Sequence, residues 1–340
     1  MSEAHPSSAP VASTPSPSDR FALVRPDLDR LEARLRDVSD VPYPPLAEVV
    51  SQLVRAGGKR LRPAVAFLVN QMYPAPPDRS LALAAAVEML HTATLVHDDV
   101  IDEAALRRGF PTLNTVWSPS ATIRAGDYMF GRAARYAAAT EHPRVISLFA
   151  DTLGVIVNGE LRQLYDRPVG LPSRQDYLDR IYGKTAALFA VAAEGAAELG
   201  RAPDWAVAQL RDYGLNLGMA FQVVDDILDF TATEAQLGKP VGGDLREGIV
   251  TLPVMLYAEA EPDSPVLRRL WDATRQGGGD RNAAVDAVVS AVRQSPVIEQ
   301  ARDEARQMVA RARAALDGLP DGPARAALED LAVYSVGRRE

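Results

Sequence analysis

Six aspartates in two groups are the residues most able to do chemistry. Asp98, Asp99 and Asp102 stand in "HDDVID", and Asp225, Asp226 and Asp229 stand in "VDDILD". Both groups read D-D-x-x-D. On an α-helix, residues four apart share a face, about one turn apart. Asp98 therefore pairs with Asp102, with Asp99 beside them, and the second group repeats the arrangement. Crowded carboxylates repel one another, and burying them uncompensated is costly. A hard divalent cation resolves the conflict. Mg²⁺ takes oxygen ligands, keeps several waters, and binds through one or two carboxylates plus substrate phosphates. Two such clusters facing each other would hold several ions around one diphosphate. An EF-hand is disfavoured, because neither cluster shows the D-x-D-x-D-G loop. One D-D-x-x-D at a solvated helix end would be ordinary, but a matched pair, each after an apolar run, is not.

Cations stand near the acids. "AGGKRLRP" (56–63) carries Lys59, Arg60 and Arg62. It is not a Walker loop, since G-x-x-x-x-G-K-[ST] is missing. Arg107 and Arg108 follow the first cluster, Lys184 and Thr185 stand in "YGKTAALF", and Lys239 stands in "LGKPVGGD" after the second cluster. Each alone reads as a surface charge; their placement beside the aspartates raises them to candidate phosphate contacts. His91 lies two turns before Asp98 on the same face, although a histidine in an apolar helix is more often a hydrogen-bonded core residue. His97 is placed to orient the neighbouring carboxylate of Asp98. His5 and His142 read as surface residues.

These groups must be positioned by helices. "LDRLEARLRDV" (28–38) and "PLAEVVSQLVRA" (45–56) space their apolar residues at three and four, as amphipathic helices do. Breakers such as "YPAPPDR" (73–79), "DRPVGLPS" (166–173) and "GLPDGP" (318–323) separate helical segments, and runs of period two are absent. Inner helices, apolar on most faces, are expected at 81–103, 120–139, 145–165, 176–199 and 205–232. Helices 282–293 and 296–317 carry more charge and belong outside.

The fold class is all-α, with one domain over 20–340 and a disordered tail at 1–19. That tail, "MSEAHPSSAPVASTPSPSD", lacks the basic start and apolar centre of a secretory signal. It has too little apolar surface to offset ordering entropy. The 340 residues are 47% hydrophobic, ample for a large core. Without cysteine, disulfides and thiolate metal sites are excluded. The net charge of −8 gives no support to a nucleic-acid partner. No run of about 18 uncharged apolar residues is present, so no transmembrane helix is expected.

Taken together, "GGKRLRP", "HDDVIDEAALRRG", "GKTA", "FQVVDDILD" and "GKPVGGDLREGIVTLP" resemble, in order, the motifs of the trans-isoprenyl diphosphate synthases, or polyprenyl synthetases. The resemblance covers about residues 45 to 255. It implies an all-α bundle around a deep central cavity, a cytoplasmic homodimer, and head-to-tail condensation of isopentenyl diphosphate onto an allylic diphosphate. It implies Mg²⁺, about three ions per active site, held with the allylic diphosphate by Asp98, Asp99 and Asp102 and by Asp225, Asp226 and Asp229. Asp98, Asp102, Lys184 and Asp225 are the catalytic set it implies. Arg107, Lys184, Thr185, Gln222 and Lys239 would contact the allylic diphosphate; Lys59, Arg62, His91 and Arg108 would hold isopentenyl diphosphate. There is one departure: Ile249 stands where many members carry a lysine, which puts one allylic-phosphate contact in doubt.

In short-chain members the turn before the first cluster bears an aromatic stopper. Here it bears Ala93 and Thr94. A product longer than farnesyl is expected, of the kind used for quinone side chains, with transient membrane contact on release. Met89, Leu90, Leu153, Ile156 and Val157 are candidate lower stoppers. Geranylgeranyl diphosphate synthesis is the nearest alternative. A class I terpene cyclase would usually mix Asn, Ser or Thr with Glu in its second motif, and would not need the Lys59/Arg62 pocket. A head-to-head squalene-type synthase is disfavoured for the same reason. A regulatory partner subunit would typically have lost the aspartates.

Overall fold

The computed structural model describes residues 21–55, 57–107, 110–165, 170–233, 241–276 and 281–337. The tail at 1–19, Arg108 and Lys239 lie outside the described residues.

Helices make almost all of the architecture. In chain order they are α1 (Arg25–Arg36), α2 (Pro44–Arg55), α3 (Leu61–Met72), α4 (Pro77–Ile101), α5 (Pro119–Ala138), α6 (Pro143–Tyr165), α7 (Arg174–Ile181), α8 (Ala187–Leu199) and α9 (Asp204–Thr231). A short α10 (Gly243–Arg246) follows, then α11 (Leu252–Ala260), α12 (Pro265–Gln276), α13 (Arg281–Gln294), α14 (Val297–Ala314) and α15 (Pro323–Gly337). The only period-two structure among the described residues is a pair of two-residue antiparallel strands, β1 (Leu106–Arg107) and β2 (Phe110–Pro111).

The expected apolar stripes are buried: Leu28, Leu31 and Leu35 of α1, and Val49, Val50 and Val54 of α2. The middle of α4 is buried all round, from Ala82 through Leu90. α4 is long and apolar enough to cross a membrane by length and composition, and 67% of that window is buried inside the protein. It packs along α5 and α8, and α9 packs along α8 and α14.

Three expectations are corrected. α6 was expected inside with apolar residues buried on most faces, yet only Val145, Phe149, Thr152 and Ile156 are buried, and Ile146, Val157, Leu161 and Leu164 face outward. α3 was missing from the expected inner helices, yet Leu61 through Val69 are all buried and pack against α4 and α8. The expected helix 176–199 is divided. α7 starts with a reciprocal capping box between Ser173 and Asp176. It then passes through a π-helical turn, Tyr182–Ala186, before α8 begins. Such bulges often mark functional sites.

Glycines explain how closely α9 approaches that turn. A Cβ on Gly218 would lie 2.5 Å from Ala186 Cα, and one on Gly214 would lie 2.5 Å from the Phe189 carbonyl oxygen. A side chain at Gly218 would push α9 away from the turn that carries Lys184, and one at Gly214 would push it away from α8.

Candidate active site

α4 delivers the first cluster from a buried rod. Asp98 and Asp102 are one turn apart, and Asp102 already caps the helix, its N–H donating to the Asp98 carbonyl at 2.8 Å. Asp98 is partly open to water. Burial pushes its carboxyl up to about 7, and Glu160 and Asp102 push the same way against the pull of Lys184 and Arg107. Glu160, from α6, is itself shifted upward by burial and by Asp102, with Lys184 opposing.

Lys184 is the hub of this group. It stands on the π turn, where Gly183 lets the backbone come close to α6: a Cβ there would lie 3.4 Å from the Val155 carbonyl oxygen and 3.7 Å from Gly159 Cα. It keeps access to water although protein surrounds much of its side chain. Burial would lower the ammonium pKa, but Asp244, Glu160, Asp98 and Asp102 overcome it and the net shift is upward. One cation thus sits among acids from α4, α6 and α10.

The second cluster divides by direction. Asp225 is partly open to solvent, while Asp226 and Asp229 are 2% and 4% exposed. Asp226 Oδ2 accepts from the Tyr177 hydroxyl at 2.9 Å, and Oδ1 accepts from Gln222 Nε2 at 2.9 Å. Gln222 Oε1 in turn accepts from Thr185 Oγ1 at 2.5 Å. Asp229 accepts from the backbone N–H groups of Gly243 at 3.1 Å and Asp244 at 3.2 Å, so it holds the start of α10. Burial, reinforced by Asp244, moves the Asp226 carboxyl upward.

A recess of about 70 Å³ lies along the adjoining face of α4. His91, Asp99, Arg107, Arg60 and Glu88 line it. Asp99 is buried, and its Oδ1 accepts from Arg107 Nε at 2.6 Å. Burial raises the Asp99 carboxyl although Arg107 opposes the shift. Lys59 is exposed in the turn before α3. Arg62 is buried on α3, its guanidinium 4.6 Å from the centroid of the Phe189 ring. Arg60, read from sequence alongside Lys59 and Arg62, is a structural residue. It pairs with Glu32 at 2.6 Å and with Glu88, and donates to the Val54 carbonyl.

Some expected contacts differ. His97 does not orient Asp98. Its ring nitrogen meets the Ile123 carbonyl at 3.1 Å, its edge packs on Phe130, and it fills the space over Gly126 of α5. Among the candidate stoppers, Met89, Leu90 and Ile156 are buried, Leu153 packs against the core, and Val157 is 46% exposed on the outer face of α6. Ala93 is fully buried; Thr94 is partly open and donates to the His91 carbonyl at 2.8 Å.

Glu160, Asp244 and Tyr177 were missed from the sequence. Glu160 had a faint signal, one of two acids, with Asp151, in the otherwise apolar run of α6. Asp244 sits in the quoted Gly-rich loop, and Tyr177 looked like an ordinary core aromatic. Ile249 lines a cavity of about 760 Å³ between α6, α7 and the chain at Gly248–Val250, together with Arg180 and Tyr177.

The donor set suits a hard dication. It is all oxygen, and the carboxylates of Asp98, Glu160 and Asp226 are held above their ordinary range by burial and mutual repulsion. Among the described residues, no three His, Asp or Glu groups close into a preformed metal cage. That arrangement matches binding through one or two carboxylates, with phosphate oxygens and waters completing the shell.

Comparison with known proteins converges on one family. The family model described as polyprenyl synthetase matches residues 43–289. The chain is 39% identical over 321 residues to heptaprenyl diphosphate synthase component 2 of Geobacillus stearothermophilus, covering 94% of this chain and 98% of that protein. It superposes on heptaprenyl diphosphate synthase from Staphylococcus aureus with a TM-score of 0.87 at 29% identity, covering 96% of this chain and 100% of that one. It superposes on polyprenyl synthase from Caulobacter crescentus, complexed with calcium and isoprenyl diphosphate, with a TM-score of 0.85 at 35% identity, covering 97% and 100%. The aspartate pairs, their helical frame and these likenesses agree: the chain belongs to the polyprenyl synthetase family.

Proposed function

We propose that the chain is a prenyltransferase. It condenses isopentenyl diphosphate head-to-tail onto an allylic diphosphate and makes an all-trans polyprenyl diphosphate longer than farnesyl, for quinone side chains. One observation carries the reading: Lys184 sits among carboxylates from α4, α6 and α10 at the end of a buried apolar rod. That is a charged mouth on an apolar interior. The name of the Geobacillus relative, a heptaprenyl synthase, supports the length.

Asp98, Asp102 and Asp225, by their places in the two D-D-x-x-D motifs, are the groups that would hold Mg²⁺; Asp226 and Asp229 accept from protein donors. When bound, the metal supplies Lewis-acid stabilisation of charge on the leaving diphosphate. Lys184, with Arg107 and Lys239, adds cations where that charge develops, so the site favours the transition state over the bound substrate. His91, Lys59, Arg62 and Arg108 orient the isopentenyl substrate, an entropic advantage. The apolar wall of α4 upstream of Asp98 excludes water from the allylic cation. Released diphosphate accepts the proton lost in the last step, so no protein base is assigned. The one-domain reading of 20–340 is supported by a single core cluster running from Val24 to Ala332.

The test is product analysis. Purified protein is incubated with Mg²⁺, farnesyl diphosphate and excess labelled isopentenyl diphosphate, and products are identified by mass. Products longer than geranylgeranyl support the proposal; a series ending at farnesyl or geranylgeranyl sinks the chain-length part. Turnover without isopentenyl diphosphate would favour a cyclase. A second reading comes from the word "component" in the name of the Geobacillus relative. By that reading the chain needs another polypeptide, and purified protein would be inactive until one is added.

A further inference from the structure

Tyr177 stands on α7, a helix that carries none of the groups expected to touch metal or substrate. Its ring is 1% exposed, yet its hydroxyl reaches α9 and donates to Asp226 Oδ2 at 2.9 Å. A buried phenol without a partner would be costly, and a phenylalanine would fill nearly the same space. The hydroxyl therefore has a reason to be there, and its partner is a buried carboxylate. The other Asp226 oxygen accepts from Gln222, which accepts from Thr185 on the π turn. One chain of hydrogen bonds thus runs from α7 through α9 to the turn that presents Lys184. The ring itself is clamped from its other side: the Arg180 guanidinium lies 5.4 Å from its centroid and donates to the Val250 carbonyl at 3.1 Å.

Adjacent residues on a helix point about 100° apart. Pinning Asp226 to α7 therefore sets the rotation of this part of α9, and with it the direction of the partly open Asp225. We propose that Tyr177 is a positioning residue for prenyl transfer, holding Asp226 so that Asp225 and Lys184 face the reacting diphosphate. This inference rests on the prenyl-transfer reading above.

The test compares wild type and Tyr177→Phe for kcat, the KM of each substrate, the Mg²⁺ concentration giving half-maximal rate, and thermal midpoint. The expected result is a kcat loss and a rise in the Mg²⁺ midpoint, each about 10- to 100-fold, the range for residues that orient metal ligands. The KM for isopentenyl diphosphate should stay within about twofold, because that substrate is assigned to other residues. A merely structural role would lower the thermal midpoint and leave the Mg²⁺ dependence of the folded protein unchanged, which overturns the proposal. Should Tyr177→Phe not fold, the same measurements on Asp226→Asn decide. A folded protein with both losses supports the network, and one with wild-type rate and midpoint overturns it. Absence of product from wild type even after a partner polypeptide is added sinks the prenyl-transfer reading and this inference with it. Product from wild type with unchanged kinetics in Tyr177→Phe overturns this inference alone.

Discussion

The Arg107 guanidinium donates to Oδ1 of Asp99 at 2.6 Å, tying the strand after α4 back to its last buried turn. The pair divides the first cluster: Asp99 serves the recess shared with His91, while Asp98 and Asp102 serve the side of Lys184 and Glu160. Their variants should therefore fail differently. Asp98→Asn and Asp102→Asn are expected to lower kcat by about 100-fold or more, because each removes a carboxylate that would hold the ion stabilising the developing charge. Asp99→Asn is expected to raise substrate KM by about 10-fold through a misplaced Arg107, with a smaller effect on kcat. Steady-state kinetics with labelled isopentenyl diphosphate checks this; equal kcat losses in all three variants would contradict the division.

Product length should respond to Thr94 more cleanly than to Ala93. Thr94 shares a face with Asp98 one turn on and is partly open, whereas Ala93 is fully enclosed in the core. Phenylalanine at 94 can project into the passage below the charged mouth and stop elongation. The same ring at 93 must displace packed neighbours, a cost of about 1–3 kcal/mol. Thr94→Phe is expected to shorten the product by mass spectrometry at near wild-type stability, and Ala93→Phe to lower the thermal midpoint as well. An unchanged product from Thr94→Phe would put the passage elsewhere. Val157→Ala should leave length unaltered, because that side chain faces outward.

The aspartate clusters were legible because their message is local: spacing on one helix decides which carboxylates meet. Lys184 was legible as a residue but its presentation was not. The π turn depends on the approach of Gly183 to Val155 and Gly159 of α6 and on the bare face of Gly218, none of which a run of nearby residues encodes. Arg60 shows the same limit from the other side. It looked like a third phosphate-facing cation, and only the fold reveals Glu32 and Glu88, brought from α1 and α4, as its partners. α3 is hidden in the sequence by its own start, where the cations of the leading loop mask the short apolar run behind them. Tyr177 and Asp226 are 49 residues apart, so nothing local links them.

A buried acid away from the site should make stability depend on pH. Glu194, on α8, is raised above the ordinary 4.5 by burial, although Arg144 bonds it at 3.2 Å and opposes the shift. A carboxyl with a raised folded pKa binds its proton more tightly in the folded state. Its contribution is fully present below the unfolded value and is lost as pH rises through the folded value. Glu194→Gln cannot titrate. Its thermal midpoint relative to wild type should therefore increase as pH is raised from about 4 to neutrality. A difference that stays flat over that range would show that Arg144 fully compensates the charge.

Assembly is the remaining expectation, and α6 supplies its support. Ile146, Val157, Leu161 and Leu164 are between 38% and 47% exposed and lie within one stripe of the helix, with the small residues Ala150 and Gly154 between them. Ile123 of α5, 42% exposed, adds to the apolar surface on the neighbouring helix. A contiguous apolar face of this kind marks an interaction surface. The homodimer proposed by family analogy would cover it with the same stripe of a second copy, since a two-fold interface is self-complementary. Leu161→Glu with Leu164→Glu would then place four carboxylates in one apolar contact, and uncompensated buried charge is strongly disfavoured. The expected outcome by light scattering after size exclusion is a dimer for wild type and a monomer for the double variant, with an unchanged helical circular-dichroism spectrum. A wild-type monomer, or a double variant that remains dimeric, would remove this face from the assembly.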